Sequence, residues 1–358
     1  MRNAKNASPA SKSANALGMA RTVRLGLASL PLLALLLVPG VAYAHEPGEV
    51  QHGGGPPGAE GAEAGEKKEE PEPPWELYGE VVGGATTSDV LSQGRFTRIE
   101  QPPANTFDST RVTAYSFLFG VERHIGERLT LGVRMPFVEA QLSSRTGANE
   151  DRSVFVAGNV ELEGAFVVAH GKTWNLVASL GVALPTSGGK EAPSMDEVAK
   201  DPEKKYEYKR YDNFAGVQAG SAVRGAYDSA LFESGRLGIV PGVAANFHVQ
   251  KLTVTPLVKV ENLVDVTGDA KENYVGELVG GVRAAYRLFP VFEPGVHVWV
   301  NALYTHTEEK NTTIAAVEPY LRFLPAPFKI TTGFILPFAG HLTDDKTFGV
   351  RVSVLGEF

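Results

Sequence analysis

Apolar and polar residues alternate through most of the chain from Trp75 to Phe358, in segments of roughly ten residues. This is the period of strands that face two different environments. In WELYGEVVG, Trp75, Leu77 and Val81 share one face, and Glu76 and Glu80 the other. In RVTAYSFLFGVER, Tyr115, Phe117, Phe119 and Val121 oppose Ser116, Gly120 and Glu122. VFVAGNVELEGAFVV reads as one strand, with Val154, Val156, Val160, Leu162, Phe166 and Val168 against Asn159, Glu161 and Glu163. TWNLVASLGVAL, ELVGGVRAAYRL, VHVWVNALY and KITTGFILPF repeat the pattern. The last strand, FGVRVSVLGEF, alternates without a fault. Phe348, Val350, Val352, Val354, Gly356 and Phe358 fall on one face, and Gly349, Arg351, Ser353, Leu355 and Glu357 on the other.

Strand candidates lie near 75–86, 110–123, 128–142, 154–169, 173–184, 213–227, 236–249, 252–264, 275–288, 294–306, 313–323, 329–338 and 347–358. That is an odd number, and a single-chain barrel with both ends on one side needs an even one. The turns are least distinct between Phe214 and Tyr274, so one reading there is at fault; a strand hidden in GRFTRIEQ is the other way to restore parity. The expected fold is all-β, an antiparallel up-and-down transmembrane barrel of about 12 strands, with 14 as the alternative.

The connections fall into two classes. HIGER, HGKT and FLPAPFK are tight, whereas Thr87–Ser109, Ser143–Ser153 and Pro185–Asn213 are long and polar. Short turns at one end and long loops at the other are the habit of outer-membrane barrels. The charged segment Pro185–Asn213 reads as a solvated loop, with inward folding as a constriction or lid as the alternative. Aromatic residues near strand ends (Trp75, Tyr78, Phe137, Trp174, Phe214, Tyr227, Tyr286, Tyr304, Phe338, Phe348 and Phe358) read as two girdles at the lipid headgroups.

The N-terminus supports a membrane destination. Arg21 and Arg24, an apolar run from Leu25 to Val38, and Ala42, Tyr43 and Ala44 form a secretory signal with cleavage expected after Ala44, and Met19 offers an alternative start. Residues 1–44 are therefore read as a signal peptide. Residues 45–74 are rich in Gly, Pro, Glu and Ala and nearly free of large apolar side chains, so they read as a disordered periplasmic tether. Residues 75–358 form the barrel. His45 and His52 fit a solvated tail better than a copper or nickel site, and no metal site is expected.

Bulk composition removes several function classes. A net charge of -7 gives no support to nucleic-acid binding, and the absence of cysteine excludes disulfides, zinc–cysteine sites and thiol catalysis. Inward positions carry Glu76, Glu80, Glu122, Glu161, Glu163, Glu261 and Glu277, balanced by Arg134, Arg224, Lys259, Arg283, Arg287, Arg322 and Arg351. Charges on the lipid side cost a few kcal/mol each, so these are expected to face the lumen, either as a network of ion pairs or as the lining of a solute path. The histidines are scattered, and no serine has a histidine partner near it in sequence, so neither an enzyme nor a cofactor is expected.

Four stretches resemble one family. AYSFLFGVERHIGERLTLGVRMPF, VFVAGNVELEGAFVV (with Asn159 where an Asp is common), LVASLGVALPTSGGKE (with Gly181, Leu184, Pro185 and Thr186) and TTGFILPFAGHLTDDK (with Pro337) are similar to the outer-membrane β-barrel family named for the meta pathway of phenol degradation. That resemblance implies a transporter-like barrel passing small, often aromatic or hydrophobic compounds. The last strand, ending on Phe358, resembles the signal by which barrel assembly machinery recognises its substrates. The expected function is an outer-membrane channel or transporter for small solutes, with outer-membrane lipid, the assembly machinery and a small-molecule solute as partners. A structural or adhesion barrel with a plugged lumen and partner-binding external loops is the alternative.

Overall fold

The structure is a computed structural model. It describes residues 75–87, 111–143, 152–190, 200–201, 208–268, 272–305 and 313–358. The expected signal peptide, the tether and GRFTRIEQ lie outside these residues.

Thirteen segments form one antiparallel sheet: β1 (Trp75–Thr87), β2 (Arg111–Ile125), β3 (Leu129–Ser143), β4 (Arg152–Ala157), β5 (Val160–His170), β6 (Trp174–Leu184), β7 (Arg236–Val249), β8 (Leu252–Asp265), β9 (Tyr274–Tyr286), β10 (Phe292–Leu303), β11 (Thr313–Phe323), β12 (Phe328–Ala339) and β13 (Phe348–Glu357). Each pairs with its sequence neighbour, and β1 pairs with β13, which closes the cylinder. β4 and β5 both pair with β3, one above the other, and make a single stave broken at Gly158–Asn159. The wall is therefore a closed antiparallel barrel of twelve staves, as the even-number rule requires.

The surplus strand candidate was 213–227. It is instead helix α1 (Tyr208–Val223), followed by a turn and a short 3-10 segment, Ser229–Phe232. The stretch FAGVQAGSAV has no polar–apolar alternation and contains four alanines or valines at helical spacing on the buried side, Ala215, Ala219, Ala222 and Val223. With strand pairing unavailable, a helix satisfies its backbone internally.

Burial inverts the soluble pattern. Leu162, Phe166, Leu180, Val243, Val258, Val282 and Phe334 are exposed at mid-stave on the outer face, whereas Glu80, Glu161, Lys259, Glu277 and Glu318 are buried on the inner face. Only a lipid-facing wall makes that arrangement favourable. Trp75, Trp174, Phe247, Tyr286, Phe323 and Phe358 ring the end that holds both termini of the barrel; Tyr274, Tyr304, Phe338 and Phe348 ring the other. Three aromatics of the expected girdles point inside. Tyr78 lies on the inner face beside Gly120, Phe214 belongs to α1, and Tyr227 follows it in the lumen.

The one-residue break at Gly158–Asn159 also corrects the reading of VFVAGNVELEGAFVV. The β3 partners shift from Phe137↔Ala157 to Arg134↔Glu161, so Val154 and Val156 face inward, and only beyond Asn159 do Leu162 and Phe166 face out. At the terminal end, turns are short (126–128, 171–173, 250–251, 287–291, 324–327). At the other end, the longest connection is 185–235, between β6 and β7.

Candidate functional site

Residues 208–235 enter the barrel from the long-loop end and touch inner-face residues from opposite sides of the wall, so they form a plug. Of the expected loop Pro185–Asn213, 191–199 and 202–207 lie outside the described residues, Lys200 and Asp201 are exposed, and 208–213 begin the plug. Two sets of contacts hold it, and they differ in chemistry.

The helix is held by shape. The wall facing α1 is small and apolar: Val112, Ala114, Val138, Ala140, Val154 and Val156, all buried. A Cβ built on Gly216 would lie 2.8 Å from Val154 Cγ1, and one on Gly220 would press into Val138, so glycine at both positions lets helix and wall meet closely. The last turn enters a slot floored by Gly84 and Gly349, which are register partners on β1 and β13 and both abut Val223. A cap follows: Gly225 N–H donates to Ala222 O at 2.9 Å and Ala226 N–H to Ser221 O at 3.0 Å, with Gly225 at φ 66°.

Beyond the helix the contacts turn polar. Trp299 Nε1 donates to Gly225 O at 3.0 Å, and Asn301 Nδ2 donates to Ala226 O at 2.8 Å and to Glu277 at 2.7 Å. Arg224 binds Glu80 of β1 and, at 3.0 Å, Asp228. Asp228 meets Lys259 of β8 at 3.3 Å, and Lys259 meets Glu261 at 3.0 Å. On the other side, Arg351 bridges Glu80 (3.4 Å) and Glu318 (3.2 Å). Glu318, Arg351, Glu80, Arg224, Asp228, Lys259 and Glu261 thus form one chain of alternating charges across the barrel, and its fourth and fifth members, Arg224 and Asp228, belong to the plug. Burial alone would raise the Asp228 carboxyl; Lys259 and Arg224 outweigh it and hold the group well below its ordinary value.

The 3-10 segment is fixed as firmly. Asn159, at the break in the wall, donates through Nδ2 to the carbonyls of Ala230 (2.9 Å) and Glu233 (2.5 Å), and its N–H donates to Leu231 O at 2.8 Å. Ala230 N–H donates to Glu261 at 2.7 Å. Ser187 and Ser234 share a hydrogen bond of 2.8 Å that ties the start of the β6–β7 connection to its end.

Below the plug, towards the terminal end, polar side chains of neighbouring staves pair along the inner face. Arg134 pairs with Glu161 at 2.9 Å and Glu163 at 3.4 Å. Asn246 links Asn175 and Thr255, each at 2.7 Å. At the mouth His124 lies 3.1 Å from Glu76, and Arg322 lies 3.0 Å from Glu293. Among the described residues, no group of three or more acids and histidines is arranged to hold a metal.

The residues singled out in the sequence fall into three groups. Glu76, Glu80, Glu122, Arg134, Glu161, Glu163, Lys259, Glu261, Glu277, Arg283, Arg322 and Arg351 lie on the inner face of staves. Arg224 is inside but sits on the plug rather than on a strand, because 213–227 is not a stave. Arg287 lies past the end of β9, half-exposed at the rim, 3.7 Å from Glu293. Sequence reasoning passed over Glu318, Asp228 and Trp299, and it put Asn159 and Asn301 on polar strand faces without counting them as site residues. Asn301 and Asn159 carried a signal, a polar residue on the inward side of an alternating strand; Asp228 carried none, since it lies in a turn.

No known protein family and no curated protein matches the chain. Solved structures with a similar trace include an outer membrane channel from Pseudomonas putida F1 (12% identity, TM-score 0.49, covering 83% of this chain and 100% of that one). The transport unit of the autotransporter AIDA-I from Escherichia coli is also similar (10% identity, TM-score 0.44, 83% and 93%). So is the Pseudomonas putida toluene transporter TodX (9% identity, TM-score 0.36, 81% and 90%).

Proposed function

We propose that the chain is an outer-membrane channel for small solutes, closed at rest by its own β6–β7 segment. The observation that carries this reading is the pairing of an apolar outer wall with a lumen occupied by a docked helix and a row of buried charged pairs. The short-turn end faces the periplasm and the plug enters from outside, in keeping with short periplasmic turns and long external loops. The inward charges, Arg134, Glu161 and Arg351 among them, tune which solutes pass. Small aromatic or hydrophobic compounds are the proposed solute class, on the sequence resemblance and on the apolar wall that α1 covers. Phe348, Val350, Val352, Val354, Gly356 and Phe358 supply the signal for the barrel assembly machinery.

The test compares the refolded chain with a variant in which Tyr208–Val223 is replaced by a Gly/Ser linker, both first shown to be folded by a heat-dependent gel shift. In planar bilayers the parent opens rarely, and the variant stays open in steps of defined size. If both folded barrels stay silent, the channel reading fails and the plugged structural barrel takes its place.

A further inference from the structure

Resting on that reading, we infer that the plug is two parts with two duties: α1 is a removable cover, and Arg224–Gly235 is a permanent constriction in which Arg224 and Asp228 set ion selectivity. The two halves are fastened differently. The cover meets the wall through Gly216, Gly220, Val217 and Val223, contacts that carry no charge and can separate without stranding one. The constriction is tied to four different staves: to Glu80 on β1, to Asn159 between β4 and β5, to Lys259 and Glu261 on β8, and to Trp299 and Asn301 on β10. Pulling it out would take a partner from buried Glu80, Lys259 and Glu261 at once.

The halves touch, with Gln218 Nε2 donating to Glu233 at 3.2 Å and Gly220 beside Phe232, but the backbone that joins them is anchored to the wall. The helix ends at Val223, and Gly225 and Ala226 follow in the left-handed region, φ 66° and 54°. Their carbonyls are already held by Trp299 and Asn301, so displacement of α1 need not propagate past Arg224. With the cover aside, a passing ion meets a lumen narrowed by a guanidinium and a carboxylate that the wall does not own.

Because the chain has no cysteine, disulfide locks can be introduced cleanly. One lock, Gly216→Cys with Val154→Cys, fastens the cover. The other, Ala230→Cys with Gly238→Cys, fastens the constriction; a Cβ on Gly238 would lie 3.1 Å from that of Ala230. In bilayers, the oxidised cover lock abolishes openings and reductant restores them, while the oxidised constriction lock conducts like the parent. Asp228→Asn shifts the cation-to-anion permeability ratio at least threefold towards anions, and Arg224→Gln shifts it towards cations. The inference is overturned if the constriction lock silences the channel, if the cover lock leaves it conducting, or if neither substitution moves the ratio. Hydrogen exchange on the folded parent gives a readout that does not depend on conduction: amides of Tyr208–Val223 exchange at least tenfold faster than those of Arg224–Gly235. Equal rates overturn the two-part plug even in a conducting barrel, whereas silence of the linker variant with the exchange contrast intact refutes the channel and leaves the division of the plug standing.

Discussion

The second half of helix α1 and the turn that follows it are both buried in one lumen and share an apolar cluster, yet only the turn is also tied to the wall by ion pairs. The helix uses two interior glycines, each costing roughly 1 kcal/mol of helix stability relative to alanine, and small side chains on an apolar wall. The turn adds charges to the apolar packing of Tyr227, Leu231 and Phe232. Its ion pairs gain little net stability, since desolvation offsets most of the attraction, but removing one partner is expensive. A segment fastened by contact area can leave and return; one fastened by mutually neutralising buried charges stays. That difference is the physical basis for assigning gating to the helix and filtering to the turn.

The largest test of this contrast is Glu80→Gln. Glu80 serves both Arg224 and Arg351, and neutralising it leaves two buried guanidinium groups short of a carboxylate. We expect a loss of about 3–5 kcal/mol in urea unfolding followed by tryptophan fluorescence. A loss below about 1 kcal/mol would mean that water reaches the charge chain. Asn159→Ala comes next, at about 1–3 kcal/mol, because the carbonyls of Ala230 and Glu233 lose their donor.

Val217→Ala sharpens the comparison from the other side. Val217 is fully buried in α1, and removing two carbon atoms costs about 1.5 kcal/mol by area. If the cover works as argued, this smaller loss raises open probability in bilayers more than Asn159→Ala does; the reverse order would move the gate to the turn.

Acid should discriminate as well. The Asp228 carboxyl is depressed in the folded state, so its contribution is complete above the ordinary carboxylate range and is lost only as pH falls through the lower folded value. The constriction should therefore hold from neutral pH down to about pH 4 and weaken below it. Asp228→Asn should flatten that acid limb in a pH series of unfolding midpoints. The smallest effect belongs to Lys329→Ala, whose pair with Glu357 at the terminal rim is part-exposed; about 0–1 kcal/mol is expected, shrinking with added salt.

The wall was legible in the residues themselves. A strand places each side chain by parity alone, so Glu80, Glu161, Lys259 and Arg351 could be put on the inner face from nearest neighbours. The parity rule also exposed a fault in the strand count, and the indistinct turns between Phe214 and Tyr274 pointed to where it lay, with a strand hidden in GRFTRIEQ as the alternative. What failed was local in a different way. The extra residue at Gly158–Asn159 reversed Val154 and Val156, and nothing in the alternation of VFVAGNVEL marks a one-residue slip.

The sequence by itself determined a closed antiparallel wall with lipid outside and charge inside, because that pattern is written at a spacing of two residues and needs no distant partner to be read. The tertiary structure alone decided that 208–235 lies in the lumen and that its halves are held differently. Val138, Val154, Gly349, Glu80 and Lys259 are far apart in the chain, and only closure of the barrel brings an apolar slot and a row of charges to face one short segment whose own composition suits either a strand or a helix.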